Sequence, residues 1–195
     1  MSEARRRPSR ALGRMTLEEW KALDEDATGE LVDGVLVEEE DVGALHEVIV
    51  PWLSDAFGPW ARSRGAMRAT SDVKYGLAPG LGRKLDFSVF LAGDLPPAEG
   101  LVRKPPYVAV EIVSRTARDQ RRDRVEKLEE YARFGIRYYW IVDPTPRTVE
   151  IFALRDDGSY ALAFTASPGR HDAIPGCDGL VLDLDDLWAE VGRLS

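Results

Sequence analysis

Three residues of this chain carry side chains that could act together on a phosphodiester: Asp86, Glu111 and Lys127. Glu111 interrupts the apolar run Tyr107-Val108-Ala109-Val110-Glu111-Ile112-Val113, which lies between Pro105-Pro106 and Ser114-Arg115-Thr116. Its length and β-branched content predict a strand buried on both faces, with Glu111 inside. A buried ionised carboxylate persists only with a hydrogen-bonded cation, a metal or a proton. Asp86 belongs to a period-two pattern in which Leu85, Phe87, Val89 and Leu91 share one face and Asp86 the other. Lys127 falls on an expected helix after Glu111. If that helix packs back on its strand, the ammonium reaches the strand's carboxyl end, where ligands gather in open α/β sheets. Two carboxylates on neighbouring strands suit a hard divalent cation, Mg²⁺ by default and Mn²⁺ in its place. The cation would polarise a phosphodiester and activate a water, while the lysine offsets developing negative charge. That is hydrolytic nuclease chemistry.

The elements that must position these groups form a strand-helix-strand crossover over residues 107–144. Thr116-Ala117-Arg118-Asp119 reads as a capping box that starts the helix. Val125, Leu128, Tyr131 and Ala132 recur at helical spacing as its core stripe, and Gly135 ends it. Tyr138-Tyr139-Trp140-Ile141-Val142 makes the second strand, stopped by Asp143-Pro144. Earlier, Thr16-Leu17-Glu18-Glu19 caps a short helix, and Asp33-Gly34 marks a two-residue hairpin turn. A helix is expected over residues 44–57, with Pro51 as a kink or break, and strands over 66–75 and 84–91. Asp156-Asp157-Gly158 marks a further hairpin, and a short acidic helix with Trp188 closes the chain. The expected fold is an α/β mixed sheet flanked by helices, in one domain over residues 15–195 after a disordered, Arg-rich tail over residues 1–14.

The chain has 195 residues, 44% hydrophobic and 31% charged, enough for one core without disulfides. Its single cysteine, Cys177, offers no disulfide framework or paired metal knuckle and suits a reducing cytoplasm. No stretch has the apolar length of a membrane helix. The net charge of -8 argues against a charge-driven DNA coater, though a local basic patch could still meet a backbone.

The order strand-Asp86, strand-Glu111, helix-Lys127, with Tyr139-Trp140-Ile141-Val142-Asp143-Pro144 and the Glu30-Leu31-Val32-Asp33-Gly34 hairpin, resembles the Uma-two family of bacterial restriction endonucleases, within the PD-(D/E)XK nuclease superfamily. The likeness runs from Thr16 to Trp188 and rests on order and spacing together. It implies a restriction-endonuclease-like fold, Mg²⁺-dependent cleavage of DNA, and Asp86, Glu111 and Lys127 as catalytic residues. It also makes Glu30 a further acidic metal ligand and His46 a candidate beside the metal. Leu85 and Arg115 stand where the family usually has proline, and residues 38–43 replace a Pro- and Ser-rich loop.

Alternatives to each role stay open at this point. The two acids could be structural, Lys127 a solvated helix flank, Glu30 an exposed hairpin residue and His46 a structural imidazole. Asp123 could pair with Lys127 one turn on. Arg115, Arg118 and Arg122 could contact phosphate or form a solvated helix face. Two rival functions are a nuclease fold that binds nucleic acid or protein without cleaving, and a two-carboxylate glycoside hydrolase. A homodimer would suit cutting both strands. If the two acids face one another unaided, their repulsion should strain the metal-free protein, Asp86→Asn should relieve it, and Glu111→Gln should leave the fold intact.

Overall fold

The computed structural model describes residues 14–23, 29–37, 43–114 and 122–194. The expected tail, the acidic loop, the capping box at Thr116, and Arg115 and Arg118 lie outside the described residues, as do the side chains of Arg122 and Asp123.

The centre of the molecule is a six-stranded mixed sheet. Among the described residues its one parallel pair is β7 (Val108–Ile112) against β8 (Tyr138–Asp143), in register from Val108↔Tyr138 to Ile112↔Val142. The helix Lys127–Phe134 makes the crossover between them and ends at Gly135, whose φ of 95° is the left-handed value that glycine tolerates best. On one side β8 is joined by the hairpin β9 (Thr148–Leu154) and β10 (Tyr160–Ala166). On the other, β7 pairs antiparallel with β6 (Phe87–Phe90), and β6 with β3 (Met67–Thr70).

A second sheet of four strands is built from the hairpin β1 (Glu30–Val32) and β2 (Val35–Val37) with β4 (Lys74–Ala78) and β5 (Leu81–Lys84), in the order β2-β1-β5-β4. Asp33 and Gly34 turn the first hairpin with φ of 50° and 76°, the positive pair a two-residue turn requires.

Two apolar layers enclose the large sheet. Phe87, Val89, Val108, Val110, Trp140 and Val142 face the 20-residue helix Ala44–Ser63 and the C-terminal helix Leu184–Gly192. On the other face Ala109, Tyr139 and Ile141 meet Tyr131, Ile136 and Tyr75. The long helix continues past the expected end at residue 57 and carries both Pro51 and Pro59.

Three expectations need correction. The single strand over residues 66–75 is two strands, β3 in the large sheet and β4 in the small one. The single strand over residues 84–91 is two strands in different sheets, with Leu85 and Asp86 at the crossing between them. Val125 is 51% exposed instead of lining the core. A π-helical turn, Arg122–Glu126, precedes the regular helix and takes more residues per turn, so Val125 falls out of phase with the stripe that Tyr131 and Ala132 continue.

Candidate active site

Continuing the β6–β7 register one step beyond Phe87↔Val110 sets Asp86 opposite Glu111 at the end of the sheet. There β6 has stopped while β7 runs on, so the Ile112 N–H has no strand partner on that side. Asp86 Oδ2 accepts it at 2.7 Å, which satisfies a donor that burial would otherwise leave orphaned. The other oxygen, Oδ1, lies 3.0 Å from His46 Nε2 on the long helix. Asp86 thus joins the helical layer to the sheet while its side chain stays 22% exposed.

Glu111 is held on the face of β7 that meets the crossover helix. Its Oε2 accepts from Lys127 Nζ at 2.7 Å, and its Oε1 accepts from the Tyr131 hydroxyl at 2.5 Å. Lys127 and Tyr131 are four residues apart, so both project from one helix face onto the carboxylate. All three are buried, with Lys127 2% and Glu111 3% exposed. Burial, and then the nearby charge of Glu111, pushes the Tyr131 hydroxyl well above its ordinary pKa, so it acts as a donor. The expectation that two acids face each other without support is therefore overturned. Glu111 has its own cation and Asp86 its own imidazole, which removes the basis for stabilisation by Asp86→Asn.

His46 is 9% exposed, and among the described residues its Nδ1 has no hydrogen-bond partner, with Glu47 Oε1 3.8 Å away. Nε2 and Asp86 Oδ1, 3.0 Å apart, make a charge contact. Burial opposes the imidazolium, but Asp86 and then Glu47 outweigh it and raise the His46 pKa above 6.5.

Glu30 is not an exposed hairpin residue. It is fully buried, with Oε2 2.6 Å from Arg83 Nη1 and Oε1 accepting from the Lys84 N–H at 3.0 Å. Arg83, also fully buried, grips Glu130 of the crossover helix with two bonds of 2.8 Å. Glu30 and Glu130 thus share one guanidinium, which ties β1 to the crossover helix. Burial pushes its carboxyl upward, yet the charges of Lys127 and Arg83 more than offset this and leave it below the ordinary 4.5. A depressed carboxylate stabilises the fold above the unfolded-state value, and that contribution is lost as pH falls through the folded one. Denaturant melts from pH 6 down to pH 3 should therefore show a shallower acid loss for Glu30→Gln than for the parent protein. Parallel acid profiles would contradict this.

Among the arginines, Arg124 bonds Glu150 and, at 3.0 Å, Asp143 Oδ2, which ties the helix start to β8 and β9. A cavity of about 830 Å³ lies elsewhere, between the first helix, the Asp33-Gly34 turn and Arg133, and is lined by none of the candidate residues. Among the described residues no three His, Cys, Asp or Glu side chains converge on one point. Of the candidate acids, Asp86 and Glu111 come across from each other at the sheet end and are the two that could hold a cation, a hard-oxygen pair with one member facing solvent. That donor set fits Mg²⁺, which takes one or two carboxylates and completes its shell with water and substrate phosphate.

Sequence reasoning missed Arg83, Glu130 and the role of the Tyr131 hydroxyl. One signal was available: Arg83 shares strand parity with the apolar Leu85, Phe87 and Val89.

A family model described as "Putative restriction endonuclease", Uma2, matches residues 16–185. The fold is similar to a solved structure from Anabaena variabilis described as "a putative nuclease belonging to DUF820", with a TM-score of 0.70 and 17% identity over 91% of this chain and 99% of that one. No curated protein matches the sequence significantly.

Proposed function

This chain belongs to the Uma2 family of restriction-endonuclease-like nucleases, and on that premise we propose that it hydrolyses phosphodiester bonds in DNA with Mg²⁺, or Mn²⁺ in its place. The observation that carries the reading is the placement of Asp86 opposite Glu111 at the sheet end with the Lys127 ammonium 2.7 Å from Glu111. Asp86 and Glu111 would hold the cation. When bound, the cation polarises the phosphodiester and lowers the pKa of a water.

The protein's own part is positioning and charge. The Ile112 N–H fixes one oxygen of Asp86, and Lys127 and Tyr131 fix the two oxygens of Glu111. Lys127 adds a positive charge beside the place where the phosphorane would develop its negative charge. Arg115, Arg118 and Arg122, near the start of the crossover in sequence, are the residues we assign to the DNA backbone. A homodimer would present two such sites to the two strands.

Supercoiled plasmid is the direct substrate for a test. Nicked and linear products should appear with millimolar Mg²⁺ or Mn²⁺ and disappear in excess chelator. Cleavage that survives the chelator would sink the metal-dependent mechanism. Plasmid binding without cleavage under any divalent cation would leave the non-cleaving binding module as the better account.

A further inference from the structure

The crossover helix delivers one ammonium, Lys127, into a region with two buried carboxylates on different sheets. Glu111 on β7 holds it directly at 2.7 Å, and Glu30 on β1 is tied through Arg83 to Glu130, one turn beyond Lys127 on the same helix. In a water-poor interior the two acids compete for that cation, because charges there interact far more strongly than in solvent. Arg83 bonds both Glu30 and the crossover helix. It gives Glu30 a cation of its own at 2.6 Å, and its two bonds to Glu130, three residues beyond Lys127, orient the guanidinium from the same helix.

We propose that Arg83 is a positioning residue for the site, neutralising Glu30 so that the Lys127 ammonium stays on Glu111. The inference rests on the nuclease reading for its rate readout, but its account of where Lys127 sits does not. The simpler view is that Arg83 only ties β5 to the crossover helix through Glu130. The two views differ in what happens when Glu30 loses its charge. A mechanical tie stays broken, whereas the competition disappears with the competitor.

The test compares Arg83→Met with the double variant Arg83→Met/Glu30→Gln, which removes both members of a buried ion pair and is therefore better tolerated than the single change. The chain has five lysines, Lys21, Lys74, Lys84, Lys104 and Lys127, so NMR of lysine-labelled protein resolves the Lys127 ε-methylene without any need for activity. In Arg83→Met that resonance should shift away from its parent position. Plasmid cleavage at saturating DNA and Mg²⁺ should fall at least tenfold, with DNA affinity unchanged. In the double variant the resonance should return and the rate recover to within about threefold.

An Arg83→Met protein that fails to fold, with the double variant folded and the resonance restored, supports the same conclusion. A parent-like resonance and rate in Arg83→Met overturns the proposal, and so does a double variant that stays as impaired as the single. A parent protein that shows the NMR pattern but does not cleave counts against the nuclease reading alone.

Discussion

Asp86→Asn should reduce plasmid cleavage by about 10³-fold while the protein keeps its fold. The size follows from the job proposed for the carboxylate: a bound cation supplies several kcal/mol of transition-state stabilisation, and each 1.36 kcal/mol is a factor of ten in rate. The fold should survive because asparagine keeps an oxygen to accept the Ile112 N–H now bonded to Asp86 Oδ2. The other interaction lost is the contact with His46 at a partly exposed carboxylate. A partly exposed pair of this kind is worth at most about 1 kcal/mol. Cleavage kinetics and denaturant melts on the same preparation separate the two effects. Activity near the parent level would remove Asp86 from the site.

Breaking the Glu111–Lys127 pair from either side should have the largest effect on stability. Both side chains are almost wholly buried, at 4% and 3% exposed. Deleting one partner of such a pair leaves the other charged in a dry environment, at about 3–5 kcal/mol. Lys127→Met should therefore lower stability by that order. Glu111→Gln should do likewise, because the amide offers the ammonium no compensating charge, so this variant is not the fold-neutral probe that sequence alone implied. The double variant should lose clearly less than the sum of the two, since it removes both charges from the interior. Denaturant melts of the four proteins form the cycle. Strictly additive losses would mean that the two side chains do not act as a pair.

Much of the framework was legible because it rests on local rules. The Asp33-Gly34 turn, the Thr16 cap with its reciprocal Glu19 bond, the Gly135 terminus and the crossover unit all follow from short-range geometry. Glu111 was recognisable as buried because a single carboxylate interrupted an apolar strand. What was illegible depends on long-range meetings. Arg83 finds Glu130 and Glu30 at sequence separations of 47 and 53, and no periodicity encodes such partners. The break at Leu85-Asp86 was hidden for a related reason. Strand parity continues unbroken through Leu85, Phe87 and Val89, although the chain passes from one sheet to another between Lys84 and Phe87. The crossing frees Asp86 from both ladders and lets its carboxylate reach the sheet end. The π turn was equally hidden, because its extra residue shifts the helix phase without leaving a signature in residue type.

Crystals grown with Mn²⁺ and measured at a wavelength where manganese scatters anomalously test the central claim most directly. A single strong peak within about 2.0–2.4 Å of oxygens from both Asp86 and Glu111 is the result expected for a hard divalent cation held by carboxylates. A peak bound at another position, or none at Mn²⁺ concentrations that support cleavage, would contradict the assignment of these two acids as the metal site.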